Sequence, residues 1–316
     1  MSKEITLLLL IGLVAWIYQA IQPPPPKICG SRDGAPMTAN RIKLRDGRHD
    51  EALVSQLSLK VVEELGIYSV SFDRAGYGES DPHPKQTLKI LALDIKELSD
   101  QLRLGSKFYL VGYSMGGHAV WSCLKYIPHR LAGATLVAPV VNYWWPGFPA
   151  NLSKEAHHLQ LPQDQWTLRV AHYMPFLVYW WNTKKKFPTS AVVSDRPKIF
   201  CPQDLRLLPK MAYRQNHQGV ATQQGVYESL HLDMRIGCGK WEFDPLDLDN
   251  PFSNNEGSVQ LWMGDEDRFV SVILQHYIAK RLPWIKYNEL AGAGHLFAYA
   301  DGMSEAITRA LLKGHN

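Results

Sequence analysis

The chemistry available to this chain centres on one serine. Residues 112–117 read Gly-Tyr-Ser-Met-Gly-Gly and satisfy G-x-S-x-G, with a strand-like run before them and a small-residue helix start after them. In that setting Gly112 and Gly116 leave room for a strained turn that exposes the Ser114 hydroxyl at the carboxyl edge of a sheet. The following helix N-terminus favours negative charge developing nearby. The competing reading is a glycine turn with a purely structural role. A serine hydroxyl is a poor nucleophile until a base takes its proton, so the nucleophile reading demands a histidine, itself held by a carboxylate. Two downstream segments supply them: GDEDRFV at 264–270 offers Asp267, and AGAGHLF at 291–297 offers His295. Asp265 is the rival acid; Asp267 is preferred because the extra loop residues let its side chain fold back over the strand ends. His118 follows Ser114 by one helical turn and is expected to point elsewhere. His157, His158 and His172 are read as surface or pocket lining.

These groups need a frame to hold them. Strands are predicted at 67–72, 107–113, 134–140, 258–264 and 285–290, alternating with helices near 50–65, 87–103, 115–126, 270–281 and 302–313, and a short hairpin is predicted at 41–48, turning at Asp46-Gly47. Such alternation implies an α/β fold, a mostly parallel sheet with helices on both faces. The rhythm stops between 142 and 256, where Trp144, Trp145, Trp166, Trp180, Trp181 and Trp241 and repeated prolines suggest short helices. The expected organisation is an anchor at 1–22, a proline-rich spacer at 23–40, a core of 41–141 and 257–316, and a helical cap insertion at 142–256. No internal repeat is present.

With 316 residues, 46% of them apolar, the chain can bury a large core. Its formal charge of +4 is spread along the sequence, so no nucleic-acid footprint stands out, and a small or lipidic substrate is expected. Cysteines 29, 123, 201 and 238 form neither a disulfide framework nor a metal pattern; Cys123 reads as core. No metal and no cofactor are expected. Residues 5–21 are apolar and no charge occurs between Glu4 and Lys27, which suits an uncleaved single-pass membrane anchor, with a removed signal as the alternative. The compartment, endomembrane or plasma membrane, and the orientation stay open, as does the oligomeric state. Lys184 to Lys186 could touch an anionic membrane surface or simply be solvated, and the sequon at 151–153 matters only if it is lumenal.

Taken together, FDRAGYGESDP at 72–82, the serine turn, the aspartate loop and the GAGH segment resemble the α/β-hydrolase fold family over roughly 41–313. The sequence is similar to plant membrane-anchored members of the esterase/lipase type, which also carry VNYWWPGF and KWEFDPLDL in the cap. The resemblance implies an eight-stranded sheet, the triad Ser114, Asp267 and His295, and the backbone N–H of Met115 as one oxyanion donor. It also implies a carboxylic-ester hydrolase, and the apolar, aromatic cap and the anchor favour a hydrophobic, lipid-like ester. One family feature is missing: no His-Gly dipeptide, which marks the strand supplying the second oxyanion donor, occurs in the chain. The junction GRHDEALVSQLS looks like two family segments joined directly, so the sequence implies an internal deletion of about two strands. A catalytically impaired member that binds ligands or partners, and an acyltransferase, are the alternatives.

Overall fold

The computed structural model describes residues 3–38, 41–44, 46, 49–54, 59–187, 189–191 and 199–313. Helix α1 (Lys3–Ile21) comes first; none of its residues is buried, and it is long and apolar enough to cross a membrane. The prolines that follow cannot continue a helix. The chain then docks on the body of the protein, where the Lys27 amide donates to the Gln224 carbonyl at 2.7 Å.

Strands β1 (Arg41–Lys43), β2 (His49–Val54) and β3 (Val70–Phe72) form one antiparallel sheet in the order β1-β2-β3. The helix expected over 50–65 is therefore half wrong. Residues 49–54 are a strand paired to β1 in the register Lys43↔His49, and only Leu59–Leu65, α2, is helical. Apolar spacing alone cannot separate a short strand from a helix, and here the long-range pairing to β1 and β3 decides. Residues 47–48 and 55–58, part of the suspected junction, lie outside the described residues.

Helix α3 (Leu88–Gln101) starts at Thr87, whose side chain accepts from the Ile90 amide at 3.2 Å, and it buries Leu88, Leu91, Ala92, Ile95 and Leu98 at helical spacing. The second sheet is parallel and runs β4-β5-β6-β7, with β4 at Phe108–Tyr113, β5 at Leu131–Val137, β6 at Val259–Gly264 and β7 at Ile285–Leu290. Strand β5 begins and ends three residues earlier than the sequence suggested. Strands β5 and β6 are almost wholly buried, whereas Val111 of β4 is 51% exposed. Helices α4 (Gly117–Tyr126), α10 (Val272–Arg281) and α11 (Met303–Leu312) cover this sheet. Leu136, Leu261, Met263, Leu274 and Ile278 are completely buried between the layers, each worth about 1.5–3 kcal/mol of apolar burial.

The sheet does not reach the eight strands implied by the resemblance. Among the described residues there are seven, in separate groups of three and four, and β3 does not pair with β4. Each is left as an edge strand on that side.

Between β5 and β6 the chain is helical: α5 (Ala150–His158), α6 (Pro162–Tyr173), α7 (Val178–Thr183), α8 (Pro202–Ala221) and α9 (Leu232–Cys238). Val170, Ala171, Val178, Met234 and Cys238 give these helices a small core of their own. Their entry and exit are tied together, because Asn142 Nδ2 donates to the Gly239 carbonyl at 2.7 Å and the Trp145 and Trp241 rings meet at 4.9 Å.

Candidate active site

Ser114, Asp267 and His295 each follow the carboxyl end of a parallel strand, β4, β6 and β7 respectively, where open α/β sheets place their reacting groups. The serine sits in the left-handed region at φ 53°, an uncommon place for a residue with a side chain. Its neighbours explain how the turn is held. A Cβ on Gly112 would lie 2.3 Å from the Gly116 carbonyl oxygen, and one on Gly117 would lie 2.6 Å from Pro139 Cβ. Gly116, singled out from the motif, has open space around it. Gly112 and Gly117 are thus the two glycines that close approach requires.

The three side chains are linked. His295 Nε2 lies 3.0 Å from Ser114 Oγ, and His295 Nδ1 lies 2.7 Å from Asp267 Oδ2. The Asp267 side chain is fully buried, and its other oxygen accepts from the Phe269 and Val270 amides at 2.8 and 3.0 Å. These two amides hold the carboxylate with Oδ2 aimed at the imidazole. Asp265 does something else: its exposed carboxylate accepts from the Gly292 amide at 2.7 Å and braces the histidine loop from outside. Met115 occupies the short 3-10 turn Ser114–Gly116 that opens into α4, so its N–H lies at the amino end of that helical stretch.

Further residues, silent in the sequence, position the histidine. Asp204, in the first turn of α8 and fully buried, accepts from the His295 amide at 3.2 Å and from the Leu296 amide at 2.7 Å. The Gly294 amide donates to Gln203 at 2.9 Å, and a Cβ on Gly294 would meet Asp204 Oδ2 at 2.2 Å. Tyr113 donates to the His295 carbonyl at 3.0 Å. In sequence Asp204 looks like an ordinary first-turn acid near a proline, and nothing local reveals that its carboxylate spans to a loop 91 residues away.

A pocket opens beside Met115, the residue after Ser114; its surface is mainly apolar, from Val140, Leu168, Met234 and Phe269, with Gln160, Asp164 and Ser190 also in its wall. His118 lines it too, and also lines a smaller cavity with Arg74 and Gln86. None of the six tryptophans is part of that wall. Trp145 is buried against Phe148, Trp144 stacks on His172 at 4.2 Å, and Trp166 lies 50% exposed. His157 contacts the Gln165 carbonyl at 3.2 Å and His172 that of Cys238 at 2.6 Å, so these histidines brace helices. All four cysteines are free and buried, and burial pushes the Cys123 thiol far up from its ordinary range.

The profile of the alpha/beta hydrolase fold matches residues 55–300, and the chain belongs to that family. Among solved structures it is similar to a thermophilic esterase from Thermogutta terrifontis, at 19% identity and TM-score 0.57, covering 88% of this chain and 100% of that one. An esterase from Exiguobacterium antarcticum gives 14% identity and TM-score 0.54 over 88% and 100% of the two chains. Esterase RhEst1 from a Rhodococcus species gives 14% and 0.51 over 88% and 98%. At these identities the likeness speaks for the fold. No curated protein matches the sequence.

Proposed function

We propose that the protein is a serine hydrolase that cleaves a carboxylic ester through an acyl-enzyme. Ser114 attacks the carbonyl, His295 takes the serine proton and returns it to the leaving alcohol, and Asp267 holds the imidazole in the tautomer that can do so. The Met115 N–H donates to the oxyanion of the tetrahedral intermediate. Water, deprotonated by the same histidine, then releases the acid. The observation that carries this reading is the continuous array from Ser114 Oγ through His295 to the buried Asp267, on a serine held at positive φ. The esterases among the structural neighbours agree with it. The apolar pocket favours a hydrophobic acyl or alcohol group. The helices between β5 and β6 act as a cap over the site, and α1 serves as a membrane anchor that would keep the enzyme near lipidic esters.

A second reading is motivated by the absence, among the described residues, of pairing between β3 and β4. The resemblance places a strand ending in His-Gly between them, which brings the second oxyanion donor. A form lacking that strand would keep the nucleophile and base but turn over on the order of 10² to 10³ slower, or serve only to bind.

Labelling of the full chain by a fluorophosphonate, beside Ser114→Ala, tests both. Labelling that vanishes in the variant, with ester turnover, supports the enzyme. Labelling without measurable turnover supports the impaired form. No labelling of folded protein overturns the nucleophile assignment.

A further inference from the structure

One stretch of the chain combines a surplus of positive charge with exposed aromatic surface. Residues 165–187, which hold most of α6 and all of α7, contain Arg169, Lys184, Lys185 and Lys186 and no acidic residue. The chain has 34 basic and 30 acidic residues, so these four cations equal its whole formal excess of +4. The three lysines are exposed. Aromatic rings stand beside them. Trp166, 50% exposed, stacks on Trp181 with centroids 6.0 Å apart, and Trp181 stacks on Phe187 at 4.5 Å. The Arg169 guanidinium lies 5.6 Å from the Trp166 ring centroid, a cation–π contact. A basic loop that is merely solvated needs no such plate of rings.

The same two helices reach the pocket on one side and the segment following α1 on the other. Thr167 and Leu168 of α6 line the pocket beside Met115, while Trp166 and Arg169 of that helix belong to the plate. In α7 the Tyr179 ring meets Tyr227 at 5.8 Å. Three residues before Tyr227, the Gln224 carbonyl accepts the Lys27 amide, and its side-chain oxygen accepts the Cys29 amide at 3.4 Å. Ile28, Val220 and Val226, next to this docking point in the chain, are exposed apolar side chains as well. Gln22 to Pro26 alone separate α1 from Lys27, and a proline run rises about 3.1 Å per residue, so the end of α1 lies within roughly 20 Å of the docking point.

We propose that this plate is a second membrane contact, in which Trp166 and Trp181 enter the headgroup layer of an anionic lipid surface and Lys184 to Lys186 meet its negative charges. The proposal rests on the anchor reading of α1, which keeps the body of the protein within reach of one leaflet. Tryptophan favours the boundary between water and acyl chains, and each cation near an anionic leaflet contributes roughly fivefold to binding. An acidic protein would satisfy the lysines equally well, but a bilayer is what α1 brings to them. Docked in this way, α6 stands between the leaflet and the pocket, and a lipidic ester has a short path from the bilayer to Ser114.

The test uses the full chain in nanodiscs of phosphatidylcholine containing phosphatidylserine, with a fluorophore on Thr183→Cys or, as reference, on Ser253→Cys. Both positions are exposed, the four native cysteines are buried, and Ser253 precedes β6 at the end of the sheet away from Ser114. A nitroxide on the lipid headgroups is expected to quench the label at 183 severalfold more than the label at 253. Combining Lys184→Gln, Lys185→Gln and Lys186→Gln should lower the ratio of docked to undocked protein on the order of 10²-fold. Hydrolysis of a water-soluble ester should be unchanged in that variant. Equal quenching at the two sites, or quenching at 183 that survives the three replacements, overturns the proposal. Alkaline extraction tests the anchor separately. If it frees the chain from vesicles, the anchor reading fails, and the plate is read from co-sedimentation of the full chain with phosphatidylserine vesicles. Binding lost with the three lysines supports the plate there; binding that is absent or unaffected overturns it.

Discussion

The two sheets of this protein are built to different standards. In the parallel sheet, β5 and β6 are buried along nearly their whole length and are flanked by partners on both sides, and three strand ends of this sheet carry Ser114, Asp267 and His295. In the antiparallel sheet, β1 and β3 have three residues each, all of them half-buried or exposed. The contrast separates two requirements of one reaction. On the proposed mechanism, proton transfer from the serine draws on the parallel sheet alone, whereas the family resemblance would place a second oxyanion donor on the side where β3 and β4 stand apart.

The largest effects should fall on the complete side. Ser114→Ala is expected to lower ester turnover on the order of 10⁴-fold or more, and Asp267→Asn on the order of 10³ to 10⁴, because an amide cannot hold the imidazole in the reactive tautomer. Asp265→Asn should leave turnover within a few fold, since that carboxylate touches only the Gly292 amide among the contacts above. Reversed outcomes for the two aspartates, measured as kcat on one chromogenic ester, would break the assignment of the acid.

Stability should divide in the same way. Leu261, fully buried at the centre of β6, is expected to cost about 2–5 kcal/mol on replacement by alanine, read from chemical denaturation. His118 adds a pH dependence. Its pKa in the folded state, about 3, lies below the ordinary 6.5, so the unfolded chain binds the proton first. The contribution of the neutral ring is present in full above pH 6.5 and is lost as the pH falls towards 3. Between pH 7 and 5 this amounts to about 2 kcal/mol, at roughly 1.4 kcal/mol per pH unit below the unfolded value. The Asp233 carboxyl, held up by burial, works in the opposite direction, so the comparison is with His118→Leu, whose denaturation midpoint should change less over the same range.

What the sequence disclosed follows the same line. Ser114, Asp267 and His295 were legible because each is tied to a local signature, a glycine turn or a loop directly after an apolar strand. The parallel strands were legible because burial on both faces gives them apolar runs. Residues 49–54 were not, because a short amphipathic strand and the start of a helix present similar spacing, and only pairing with β1 and β3 distinguishes them. Asp204 was missed for a related reason: it acts on a loop far away in the chain.

The smallest expected effect is the sharpest test of the contrast. Val111 lies in the middle of β4, beside the strand pair on which the core is built, and in a sheet complete on both sides its replacement by alanine would resemble that of Leu261. It is 51% exposed, so little apolar area is lost when the two methyl groups are removed, and the expected cost is below about 0.5–1 kcal/mol. Amide exchange gives the same comparison by another route: the β4 amides that point away from β5 should exchange far faster than those of β5 and β6, whose donors have strand partners. A core-like cost at Val111 together with slow exchange along all of β4 would mean that this edge is covered in solution. The division between the two sheets would then be narrower than the strand pairing indicates, and a second oxyanion donor from that side would return as a working hypothesis.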